Sequence, residues 1–207
     1  LVELLVVLAL VAVLATLGVF AMPSWLERAA RVDALAKTRA MGRAVLHYVP
    51  DHGGLLPPLF PGQVLEYEPG RGGRIVTECA AYLGIDPDRG PHLVDSLQPR
   101  AYARLKVPAD PAQRRVWVVN NTVDTGGAVT HPFGTVTTPG EPPTGRATLA
   151  ALAGADAAWM LSTADRQHPN VASAPWRANT PAEPPLGDAR AVFRFDGSAG
   201  LVNIGAP

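Results

Sequence analysis

Intramolecular disulfide chemistry is closed to this chain, because its 207 residues include one cysteine, Cys79, and a zinc cage built of cysteines is excluded for the same reason. Charge is scarce and balanced. Eighteen basic and 18 acidic residues make up 17% of the chain and leave no net charge, so no overall attraction to nucleic acid is expected. Catalytic signatures are missing as well. The five histidines, His47, His52, His92, His131 and His168, show no H-x-x-x-H or H-E-x-x-H spacing, and each reads as a surface or loop residue. The chain has no G-x-S-x-G and no Gly-rich phosphate loop following a strand. Cys79 has no adjacent His or Lys to stabilise a thiolate and reads as a small buried hydrophobe. Enzymatic work is not expected.

What is present is unevenly spread. Twenty glycines and 21 prolines form about a fifth of the chain, high for a compact enzyme but below low-complexity disorder. The extreme hydrophobicity lies almost wholly in the first 22 residues. Leu4 through Met22 carry no charge, and as a helix they would span about 28 Å, close to the hydrocarbon thickness of a bilayer. A cleavable secretory signal would have a basic start and a shorter apolar core. A plain membrane anchor fits the length but leaves Glu3 unexplained, an acid at the start of the run with no basic partner nearby. A carboxylate in hydrocarbon is costly and, by default, functional. At the water interface it would be unremarked.

The string Leu1-Val2-Glu3-Leu4-Leu5-Val6-Val7-Leu8-Ala9 resembles the start of type IV pilins and type II secretion pseudopilins. Mature chains of that family begin with Phe and usually Thr before this pattern, so the resemblance implies that the true amino terminus precedes Leu1. It also implies removal of a short basic leader by a prepilin peptidase, methylation of the new amine, and an inner-membrane assembly platform. Glu3 would pair with the terminal amine of the adjacent subunit in an apolar filament core. Two charges that are each costly alone would compensate one another there and set register. Gly18 and Pro23 mark where the helix would kink or loosen: Pro23 removes the amide that would bond the carbonyl of Val19, and Gly18 weakens the helix locally.

Residues 24–49 continue as helix. From Asp33 onward Leu35, Thr38, Met41, Gly42, Val45, Leu46 and Val49 fall on one side, with Asp33, Lys37, Arg39, Arg43 and His47 on the other. Upstream, Trp25, Leu26, Ala29, Ala30 and Val32 mix all round with Glu27, Arg28 and Arg31, as expected of a helix surrounded by neighbouring subunits. The basic excess over 27–43 reads either as a solvated face or as a partner for acidic heads of other subunits. Pro50 and Asp51-His52-Gly53-Gly54 end the helix.

The head, 51–207, opens with a loop-like stretch to residue 74. Ile75 to Leu83 reads as a short helix, and so does Ala147 to Ala153. Arg115 to Asn120 is the best strand, apolar enough for burial on both faces. Asn120-Asn121-Thr122 is a formal glycosylation sequon whose use is not expected, and the Thr- and Pro-rich stretch from Thr122 to Thr144 is a long surface excursion. Ala158 to Ser162 reads as a strand, and 191–204 as a hairpin turning at Asp196-Gly197. This ending resembles large pseudopilin-like proteins of planctomycete and verrucomicrobial bacteria, which close on an F-x-D-G-H-V turn and carry an upstream strand ending in Asp, here Asp165. Ser198 replaces their His, and Leu186-Gly187-Asp188 stands where a second His would be.

Some pseudopilins bind calcium in the head. Asp86, Asp88 and Asp95, or Asp124 with nearby carbonyls, are the candidates here, but none has D-x-D-x-D-G spacing. No metal site or other cofactor is expected. The fold class is α+β: a long N-terminal helix, hydrophobic in 1–23 and amphipathic in 24–50, with an antiparallel-sheet head packed on its second half. Two functions fit. One is a structural filament subunit, a helical homo-oligomer that meets other pilins or pseudopilins, sits in the inner membrane before assembly and lies outside the cell or in the periplasm afterwards. The other is a monomeric, membrane-tethered periplasmic binding module.

Overall fold

The computed structural model describes residues 2–103, 114–152, 154 and 158–204. One helix of 50 residues, α1 (Val2–Asp51), leads into the head. Its portions Val2–Leu17 and Met22–Asp51 are inclined by 40°, so the bend falls over residues 18–21. Pro23 lies just beyond it, inside the helix, where its missing N–H leaves one carbonyl of the preceding turn without its usual donor.

The head follows in chain order: strands β1 (Gly62–Val64) and β2 (Glu66–Tyr67), helical turns α2 (Ile75–Glu78) and α3 (Ala80–Leu83), strand β3 (His92–Leu93) and turn α4 (Arg100–Ala103). Next come β4 (Arg115–Val119), β5 (Val123–Asp124), β6 (Val129–Thr130), β7 (Trp159–Thr163), α5 (Pro169–Ala172), β8 (Ala189–Arg194) and β9 (Ala199–Asn203). Five strands make one antiparallel sheet in the order β1-β4-β7-β8-β9. The expected strands and closing hairpin are all in it. The hairpin turns where Asp196 Oδ1 accepts the Ser198 amide at 2.7 Å and Gly197 takes a φ of 84°. Hydrogen bonds from the Ser198 hydroxyl and amide hold the Asp196 carboxyl below its ordinary pKa, so Ser198 serves the turn itself.

Three expectations for the head need correction. The loop-like stretch to residue 74 contains β1, which pairs with β4 through Gly62↔Val118 and Gln63↔Trp117 before a bulge at Val64. The helix expected over Ile75 to Leu83 breaks at Cys79 into α2 and α3. The one expected from Ala147 narrows to a 3-10 turn at Leu149–Leu152, and Ala153 lies outside the described residues.

The sheet lies on the second half of α1. Thr38, Met41, Val45 and Val49 are buried as the stripe anticipates, together with Ala34, Ala44 and Tyr48, while Leu35 and Leu46 are half-buried. Trp117 and Val119 of β4 join that core, whereas Val118 packs with Ala164 and Val171 on the opposite face, which explains the apolar run of the strand. Each large side chain so buried contributes about 1.5–3 kcal/mol. Thr38, the polar residue within the stripe, accepts the buried Trp117 Nε1–H at 3.1 Å, satisfying a donor that would otherwise cost about 1–3 kcal/mol.

Gly42 has a packing role that helix propensity hides. A Cβ there would fall 2.2–2.6 Å from ring atoms of the fully buried Phe193 of β8. Alanine should gain the helix about 1 kcal/mol, yet overpacking a rigid core costs about 1–3 kcal/mol or more. Gly42→Ala is therefore expected to destabilise the head by about 2 kcal/mol in urea unfolding. A raised midpoint would show that the Phe193 ring steps aside freely.

Candidate assembly surface

The first half of α1 is left uncovered by its own head. Among the described side chains every residue from Val2 to Ala29 is exposed, including Val2 at 74%, Leu14 at 68% and Trp25 at 68%. Coverage by the head begins at Ala30 and Arg31. From Leu4 to Leu17 the exposed side chains are uncharged and almost all apolar around the helix, far more than the scattered single hydrophobes normal on a protein surface, and such a surface marks a site of protein or membrane interaction.

Straight, Val2–Leu17 is about 24 Å long, short of a bilayer core of about 30 Å. Among the described residues no single straight helix is long and apolar enough to cross a membrane, whereas Val2–Leu17 and Met22–Asp51 taken together as a bent pair meet that requirement by length and composition. The bend thus interrupts the 28 Å run expected from Leu4 to Met22.

Glu3 sits exposed in the first turn. Among the described residues it forms no ion pair, and the next charges along the helix, Glu27 and Arg28, lie roughly 36–38 Å away along the axis. A cation for Glu3 cannot come from this helix.

The basic half is largely tied down. Arg31 pairs at 2.7 Å with both Glu27 and Asp188, the latter just before β8. Lys37 pairs with Asp33 at 3.1 Å and donates to the Gln98 carbonyl at 2.5 Å, and Asp33 also accepts the Arg100 amide at 2.7 Å. These bonds latch α1 onto its own head. Arg28, Arg39 and Arg43 are exposed with no ion pair among the described residues, so they alone retain the capacity to meet acidic neighbours.

The carboxylates considered for calcium serve local turns. Asp86 accepts the Asp88 amide at 2.9 Å, Asp124 accepts the Gly127 amide at 2.7 Å, and Asp88 and Asp95 are exposed. Among the described residues no three His, Cys, Asp or Glu side chains converge as a metal site would require. Cys79 is fully buried, and burial, then the neighbouring Glu78 charge, pushes its thiol well above the ordinary range.

A buried polar cluster behind the sheet escaped sequence reasoning. Asp165, wholly buried, receives a bidentate bond from Arg190 of β8, Nε to Oδ2 at 2.7 Å and Nη2 to Oδ1 at 2.9 Å. The only sequence signal was an acid ending an apolar strand. His168, expected on the surface, is 5% exposed; its Nδ1 accepts the Asn170 amide and caps α5. Burial, reinforced by Arg190 and opposed by Asp165, lowers its pKa to about 4. A histidine held neutral in the fold stabilises above its unfolded pKa of about 6.5 and loses that contribution as pH falls toward 4. Stability should therefore drop by about 3 kcal/mol across that window. His168→Gln should flatten this part of a pH series of urea midpoints; an unchanged slope would assign the loss to other groups.

Comparison of the chain with family models, curated proteins and solved structures returns no match.

Proposed function

We propose that this chain is a structural, non-catalytic subunit of a type IV pilus-like or type II secretion pseudopilus filament. It is held in the inner membrane before assembly and polymerises through the first half of α1. One observation carries the reading: an all-round apolar helix, uncovered by its own head, runs continuously into an amphipathic half latched onto a sheet. In the membrane lipid covers the apolar half, and in the filament the same half of neighbouring copies does. Glu3 then takes its cation from a neighbour's terminal amine, and the bend after Leu17 is where the helix adjusts between the two settings.

The burial of Cys79 makes a direct test available, because an engineered pair at exposed positions supplies the reactive thiols. Leu4→Cys/Leu14→Cys chains treated with a bismaleimide in intact cells should give a ladder of multimers. Sheared material should show filaments by negative stain, built of a subunit with a methylated amine. Monomers alone, with no filaments, would overturn the reading in favour of a tethered single subunit.

A further inference from the structure

At the end of the sheet where β1 begins and β4 finishes, the head opens a cavity of about 460 Å³, within the size range of small-molecule sites. Pro61, Asn121, Thr122, Asn170, Pro175 and Trp176 contribute to its wall, and no residue lining it is ionisable. Asn120, the formal sequon acceptor, also lines it, but is nearly buried and donates its amide to the Trp159 carbonyl at 3.0 Å. It therefore helps shape the site and is not a glycan acceptor. Among the described residues the side-chain amides of Asn121 and Asn170 have no hydrogen-bond partner, although the backbones of both are engaged, the Asn121 carbonyl with His131 Nδ1 and the Asn170 N–H with His168 Nδ1.

The indole of Trp176 is held in place. It lies against Gly62 of β1 so closely that a Cβ there would come within 2.8–2.9 Å of three of its ring atoms. It also packs against the small cluster of Val118, Ala164 and Val171. A glycine in a strand with an indole laid on it matches the expectation that such a residue permits close approach.

We propose that this cavity binds a neutral carbohydrate. The chemistry of the wall selects the ligand class. Each free amide offers donors and an acceptor on one planar group, which matches the adjacent donor-acceptor hydroxyls of a pyranose. The indole and proline rings offer apolar surface to its C–H face. With no charged side chain in the wall, nothing compensates the desolvation of a carboxylated or sulfated sugar, so neutral sugars are preferred. A proline-rich peptide would use the aromatic surface but leave the two free amides idle. The site belongs to the head alone and is independent of whether the chain polymerises.

The test is titration of the full chain, in a zwitterionic detergent because glycosidic detergents would compete, with cellotriose, mannotriose and chitotriose while following tryptophan fluorescence. Sialyllactose and a decaproline peptide are the comparison ligands. At least one neutral trisaccharide should saturate at about 10 mM or below, with weaker binding of sialyllactose. Trp176→Ala and Gly62→Ala should each weaken it at least tenfold. Asn121→Ala/Asn170→Ala should do the same with an unchanged melting temperature, which keeps the test valid if the Trp176 variant misfolds. Three outcomes would overturn the proposal: no saturation by any neutral sugar, saturation that the double Asn variant leaves unchanged, or binding of decaproline in preference to the sugars.

Discussion

Glu3→Ala is expected to cut the yield of sheared filaments at least about tenfold, the change produced by roughly 1.4 kcal/mol lost as each subunit is added. The head should stay folded, since Glu3 lies on the uncovered end of α1, remote from every buried residue. Membrane insertion should be unchanged or slightly improved, because an acid within hydrocarbon costs about 3 kcal/mol at mid-depth and less near the surface. The effect falls on assembly alone if the carboxylate meets a neighbour's amine: losing it leaves that cation buried without compensation, which is far worse than never burying the pair. A tethered monomer predicts the reverse, a silent or favourable substitution. Quantifying sheared filament against membrane-bound subunit for both chains separates the two: equal filament yield would remove Glu3 from the register between subunits, and no filament from either chain would favour the tethered monomer.

Arg190→Met should produce the largest loss of folding stability. It leaves Asp165, wholly buried, without the guanidinium that meets both its oxygens. Breaking one partner of such a pair typically costs about 3–5 kcal/mol, against a total of about 5–15 kcal/mol for a domain. Removing both partners in Asp165→Leu/Arg190→Met should recover most of the loss, since a buried pair gains little over an apolar replacement. Urea unfolding of the two single variants and the double variant gives the coupling directly. A cost under about 1 kcal/mol for Arg190→Met would mean that water reaches Asp165 and relieves it.

The long helix, its buried stripe and four of the five sheet strands were legible because periodicity reports burial on one face. What the sequence concealed has specific causes. β1 is three residues set among prolines and glycines, and only its pairing with β4 makes Gly62-Gln63-Val64 a strand; local propensity carries no trace of such a partner. Arg190 looks like a surface residue until β8 brings it onto Asp165, 25 residues away in the chain, and His168, three residues after Asp165, is buried in the same fold. Gly42 reads as a weak point of the helix, and its purpose is visible only once Phe193 lies across it. At the candidate assembly surface the apolar run and Glu3 were legible. The latches of Arg31 to Asp188 and of Lys37 to Gln98 were not, since each joins α1 to a loop many residues away.

The boundary at Ala30 also divides the molecule by the kind of error each part tolerates. Upstream of it every described side chain is exposed, and apart from Glu27, which pairs with the latching Arg31, substitutions there should leave little mark on a melting curve, however much they damage association. Downstream, a misfit such as a methyl group at position 42 weakens the subunit before it meets another. The two portions are thus free to diverge under separate pressures. The leading segment answers to whatever must fit around it in every copy, whereas the head answers to its own core and to what it touches outside.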